Sequence, residues 1–153
     1  MPGFEPKNAD FDARVRDSFG RQKVMHTLGI TIADVSPGRL VLEMAHSDAL
    51  TQQHGFVHAG IVSTALDSAC GYAAFSLMPA EAAVLTVEFK INLLAPADGD
   101  LLRAVGRVVK PGRTLTVTEA EVLVVKNGAA KSCARMAQTL MCLAGRPDMP
   151  QAG

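Results

Sequence analysis

Between His58 and Glu81 the chain carries one formally charged side chain, Asp67. The surrounding residues, Ala59 to Ala80, are small, apolar or uncharged, and no proline interrupts them before Pro79. A segment that is apolar on every side is a helix buried in a protein core or in a bilayer. Its length would suffice for a membrane span. However, Ser63, Thr64, Asp67, Ser68 and Gly71 interrupt it, and strands rather than further spans follow. The expectation is a central buried helix from about His58 to Leu77, closed by Pro79. A carboxylate in such a helix costs free energy unless something compensates it. Such costs gather where chemistry needs a perturbed acid. The plainer alternative is an acid that only satisfies serine or threonine hydroxyls in a core.

The chain has 153 residues, 48% of them hydrophobic, which is enough for one domain with a substantial core. Its formal net charge is zero, so neither a general nucleic-acid footprint nor a membrane-surface footprint is present. Met1 to Ala9 show no apolar stretch behind a basic head, and a cytoplasmic location is expected. Cys70, Cys133 and Cys142 lack metal-ligand spacing, and Cys70 reads as a small core residue. His46, His54 and His58 share one loop without a cysteine or acid to complete a zinc pattern, so no metal is expected. Glycine loops that cradle phosphates and nucleophile-elbow motifs are also absent.

Outside the long helix the pattern is mostly β. Asn8 to His26 reads as an amphipathic helix with an Asn or Asp cap, stopped by Gly29. Ile30–Val35 and Arg39–Ala45 flank a Pro37-Gly38 turn. His46 to Val57 is a loop. Four strands follow the helix, at about 84–93, 101–110, 115–125 and 129–143, with Asn127-Gly128 the strongest hairpin signal. Simple alternation in the first of these puts Thr86, Glu88, Lys90 and Asn92 together, and in the third, Thr116, Thr118 and Glu121 interleave apolar residues. The order predicts an α+β fold in which an antiparallel sheet wraps around one long helix. Residues 1–28 form an N-terminal helical segment, 29–144 the domain, and 145–153 a flexible tail. The sheet edges are expected to pair with a second chain.

His58 and Asp67 are nine positions apart, so on an ideal helix they lie about 13 Å apart along the axis and on roughly opposite faces. One chain cannot bring both to a small reaction centre. If both are functional, an isologous two-fold dimer builds the site, with Asp67 of one chain facing the helix start of the other. That helix start suits an electrophilic role, because its first N–H groups lack internal partners and carry partial positive charge. Ala59 and Gly60 offer little side chain to obstruct a carbonyl oxygen. Asp67 could then attack an acyl carbon or activate water, with Gln52 or Gln53 orienting that water. His58 reads equally well as a loop histidine bonded to backbone. Arg113, in Lys110-Pro111-Gly112-Arg113, is first a turn residue.

Gly55-Phe56-Val57-His58-Ala59-Gly60, with Asp67 nine positions after the histidine, resembles the opening of the central helix in hotdog-fold acyl-CoA thioesterases of the phenylacetate-pathway (PaaI) type. Ala59 stands where that family has the first glycine of a pair. Gln52, six positions before His58, matches a family asparagine or glutamine. Thr86 in Leu85-Thr86-Val87-Glu88-Phe89 matches a serine or threonine of the next strand. The resemblance, over about Gly29 to Leu143, implies a hotdog fold and hydrolysis of a small or medium acyl-CoA, aromatic acyl groups included. CoA would be part of the substrate, and no cofactor would be needed. It further implies Asp67 as nucleophile or general base, and Ala59 and Gly60 amides as the oxyanion site supported by His58. Gln52 and Thr86 would position water or substrate, Arg113 would lie near the CoA phosphates, and the homodimer would commonly pair into a homotetramer. A non-catalytic acyl-CoA-binding hotdog protein is the alternative from another class.

Overall fold

The computed structural model describes residues 3–150. In chain order the elements are α1 (Phe11–Gly20), α2 (Lys23–Leu28), β1 (Ile30–Ser36), β2 (Arg39–Ala45), a 3-10 turn (Asp48–Leu50), α3 (Ala59–Phe75), β3 (Ala82–Leu93), β4 (Leu101–Lys110), β5 (Leu115–Lys126) and β6 (Ala129–Ala144). The strands form one antiparallel sheet in the order β1-β2-β4-β5-β6-β3. α3 packs along its inner face, which is the expected hotdog arrangement. No helix among the described residues is long and apolar enough to cross a membrane.

The helix lies close to the sheet because its contact face is made of small residues. Ala65, Ala69 and Ala73, four apart and so on one face, are each no more than 1% exposed. Gly106 in β4 completes the approach. A Cβ there would fall on the backbone carbonyl of Ala69 and lie 2.7 Å from Cys70 N. Around this contact Leu40, Leu42 and Met44 of β2 and Val62 and Leu66 of α3 fill the core. At the far end of α3, Ser76 Oγ donates to Ala73 O (2.7 Å) and accepts from Gly38 N (2.8 Å). That bond ties the helix end to the β1–β2 turn, where Gly38 adopts a φ of 75°. Asn127 and Gly128 have φ of 51° and 77°, the left-handed pair that a tight hairpin demands.

Two expectations need correction. The single N-terminal helix is two helices: Arg21 and Gln22 N–H groups close α1 on Ser18 and Phe19 carbonyls, and Gln22 then turns extended (φ −76°, ψ 100°). Gly20 contributes no side chain to hold a longer helix together. The anticipated side-chain cap is also missing at the start of α1, where Asn8 Oδ1 instead accepts from Asp10 N (3.1 Å).

The second correction concerns β3. Its pairing with β6 slips between Thr86 and Glu88, so that Thr86 stands opposite Leu140 while Glu88 stands opposite Thr139. A bulge of one residue reverses which face later side chains occupy. Thr86 therefore points inward to α3, and Glu88, Lys90 and Asn92 do not share its face. In β5, Thr116 and Thr118 are buried, whereas Glu121, an odd number of residues beyond them, points outward and meets Arg135.

The expected tail begins with contacts to the rest of the chain. Gly145 N donates to Glu81 O (2.8 Å), and Asp148 pairs with Arg21 of α1 (2.9 Å). Residues 151–153 of that expected tail lie outside the described residues.

Candidate active site

Asp67 is half-buried on the side of α3 that faces the first half of β3. Thr86 Oγ1 donates to Asp67 Oδ1 at 2.8 Å, and Gln138 Nε2 donates to the same oxygen at 2.6 Å. Gln138 Nε2 also lies 3.1 Å from Thr86 Oγ1. Two hydrogen bonds to an anionic oxygen supply the compensation that an acid in an apolar helix requires. The carboxylate opens on a cleft of about 150 Å³ shared with Ser18, Gln22, Ser68, Tyr72, Thr86 and Asp148. Burial pushes the Tyr72 hydroxyl's pKa upward, against the Ser18 hydroxyl 3.1 Å away.

The residues expected at the helix start line a different and larger cavity. It encloses about 500 Å³ between Gln52, Phe56, His58 and Ala59 on one wall and Leu93, Leu94 and Cys133 on the other. The loop before it is pinned at Gly55 (φ 84°) and by His58 N donating to Leu50 O (2.9 Å). His58 is the N-cap of α3: its Nδ1 accepts from Gly60 N at 2.9 Å. The imidazole thus holds the loop's shape, and the Gly60 amide is used in doing so. Ala59 sits at the first helical position, and no acceptor for its N–H is found among the described residues. Gln52 Oε1 accepts from His54 N, which fixes its side chain at the cavity wall, whereas Gln53 lies away from it.

The structure therefore joins Asp67 with Thr86 and joins Gln52 with His58, Ala59 and Gly60. Asp67 and Thr86 line one space and Gln52, His58 and Ala59 another, with no residue in common, and Gly60 lines neither. Arg113 is exposed in the β4–β5 turn and borders neither. Cysteine chemistry is disfavoured at neutral pH, because burial pushes the Cys70 thiol up to about 12 and the Cys133 thiol up to about 11. Among the described residues no group of three His, Cys, Asp or Glu is placed to hold a metal ion.

Sequence reasoning missed Gln138. Its signal was present in β6, where Ala134, Met136, Gln138, Leu140 and Cys142 alternate as the buried face. A glutamine in an otherwise apolar register calls for an explanation.

A long helix bearing an acid, wrapped by a six-stranded antiparallel sheet, is the frame of the hotdog proteins. Residues 54–130 match the family model described as thioesterase superfamily, and the chain belongs to that family; it is a thioester hydrolase. A solved thioesterase family protein from Silicibacter pomeroyi is 59% identical, with a TM-score of 0.87, over 88% of this chain and 99% of that one. The Escherichia coli PaaI protein of the phenylacetic acid degradation operon shares the fold at a TM-score of 0.81 and 22% identity, covering 92% of this chain and 99% of its own. A 1,4-dihydroxy-2-naphthoyl-CoA hydrolase from Listeria monocytogenes is 23% identical over 99 residues, 65% of this chain and 80% of that one.

Proposed function

We propose that the chain hydrolyses a small or medium acyl-CoA, aromatic acyl groups included, to the free acid and CoA. The site is assembled by two copies, Asp67 of one facing the start of α3 in the other. The observation that carries this reading is the course of β3. Its first half, at Val84 and Thr86, borders the cleft of Asp67, and its end, at Leu93, borders the cavity at the helix start. β3 is also an edge of the sheet. Its Leu85, Val87, Phe89 and Leu93 are each about half exposed, from 47 to 55%. A long apolar edge strand is a template for another chain. Two copies of β3 paired antiparallel about a two-fold axis bring the beginning of one beside the end of the other. That pairing carries Asp67 of each copy toward the free Ala59 amide of its partner.

The chemistry follows from the parts. The thioester carbonyl oxygen takes a hydrogen bond from the free Ala59 N–H and gains from the partial positive charge of the helix start. The Asp67 carboxylate either attacks the carbonyl carbon itself, to form an acyl–Asp67 anhydride that water cleaves once CoA has left, freeing the acid and restoring Asp67, or takes a proton from the water that attacks that carbon. The C–S bond then breaks, CoA leaves as the thiol after protonation, and water's oxygen stays with the acid. Gln52 orients the water or the acyl group from the cavity wall. Arg113 and its neighbour Lys110, both exposed, would meet the CoA phosphates. None of these steps calls for a metal or redox cofactor. The CoA hydrolase among the relatives supports the acyl-CoA reading. On the outer face, Leu85 and Leu115 flank Met141 in register beside exposed Val117, a patch suited to joining two dimers into a tetramer.

The oxyanion role is tested at Ala59. Proline at the first helical position removes the N–H without breaking the helix, and His58, with ψ of 138°, already has the conformation a following proline requires. Ala59→Pro is expected to stay folded and to lose about 100-fold or more in kcat. Parent-like kcat in a folded Ala59→Pro protein would remove Ala59 from the mechanism.

A further inference from the structure

Asp67, Thr86 and Gln138 form a closed triangle with a fixed proton inventory. Thr86 has one hydroxyl proton, given to Asp67 Oδ1, and Gln138 Nε2 has two, directed at Asp67 Oδ1 and Thr86 Oγ1. Turning the amide over would set its oxygen against the carboxylate, acceptor against acceptor, so the orientation follows from chemistry. The consequence is that Gln138 Oε1, buried, has no hydrogen-bond partner among the described residues. A buried carbonyl without a donor destabilises a fold. Gln138 itself is 2% exposed, and its backbone carbonyl accepts from Thr118 Oγ1 at 3.1 Å, which seats the strand beneath it. It also lies outside residues 54–130, the stretch matched by the family model.

We propose that Gln138 is a positioning residue for the hydrolysis: with Thr86 it occupies Oδ1 of Asp67 from the sheet side and leaves Oδ2 as the oxygen that meets substrate or water. Both hydrogen bonds of the carboxylate end on Oδ1. The side chain is thereby held in one rotamer with the other oxygen free. The unsatisfied Oε1 is the local cost of placing a donor rather than an apolar side chain at this point. The inference rests on the catalytic reading of Asp67 given above.

Gln138→Met keeps the length and bulk of the side chain and removes both the donor and the orphaned acceptor. Thiol release from a panel of acyl-CoAs is expected to show kcat lowered by about 10- to 100-fold. KM should stay within about twofold, and the thermal midpoint should be unchanged or higher. A merely structural glutamine predicts the reverse, a lower midpoint with parent-like kcat per folded molecule. That result, or a raised KM at unchanged kcat, overturns the proposal. Should the methionine variant not fold, Gln138→Glu keeps the size, turns the donor into an acceptor, and carries the same expectation for kcat and KM. Asp67→Asn measured alongside separates the failures. If it is active, the catalytic reading falls and the proposal with it; if it is inactive while Gln138→Met matches the parent, only the role of Gln138 falls.

Discussion

Asp67→Asn is expected to reduce thiol release from acyl-CoA by about a thousandfold or more while the protein remains folded. Asparagine has nearly the same shape, and its carbonyl oxygen can still accept from Thr86 Oγ1 and Gln138 Nε2, which now bond Asp67 Oδ1. The packing of α3 is therefore preserved, and what disappears is the negative charge. Without it the side chain can neither attack a carbonyl nor draw a proton from water. A thermal melt together with a thiol-detection assay decides the matter. A well-folded Asp67→Asn protein that turns over like the parent would show that this acid is structural and that another group runs the reaction.

Gly106→Val should act on the fold itself. Any Cβ at this position meets the backbone of Ala69 and Cys70 rather than a movable side chain. α3 must then lift from β4, opening the contacts of Ala65, Ala69 and Ala73. Overpacking of this kind is expected to cost about 3 kcal/mol or more. For a chain of this size that lowers the melting midpoint by about 6–12 °C, or prevents folding. Asp67 lies two residues before Ala69, so the activity remaining in any folded fraction should fall as well. A Gly106→Val protein that melts with the parent would show that helix and sheet are not in this contact.

Much of this arrangement could be read from the sequence because it rests on local chemistry. Pro37-Gly38 and Asn127-Gly128 announce their turns through conformations few other residues accept, and the lone charge in Ala59–Ala80 marks the acid. The nine-residue spacing of His58 and Asp67 already excludes a site made by one helix. What escaped depends on relations between strands. Alternation alone groups Thr86 with Glu88, and only the slip in the β3–β6 pairing separates them, turning Glu88 outward while Thr86 stays inward at Asp67. The amide of Gln138 lies seventy-one residues from the acid it supports, and nothing in the local pattern of β6 names its partner. The break between α1 and α2 escaped for a simpler reason: the apolar spacing of Val15, Phe19 and Met25 continues across it, and all three are buried. His58 shows a further limit. Its position is conspicuous in the sequence, but its work as the cap of α3 is visible only through the Gly60 N–H that it accepts.

The claim on which the mechanism depends is that each site takes its acid from one chain and its amide from another. Differently tagged Asp67→Asn and Ala59→Pro chains, co-expressed and purified as the mixed dimer, test it directly. Each variant alone should be nearly inactive. In the mixed dimer one of the two sites combines an intact Asp67 with an intact Ala59, so about half the parent activity should return. A mixed dimer no more active than its two parents would place the acid and the amide in the same chain's site and contradict the account.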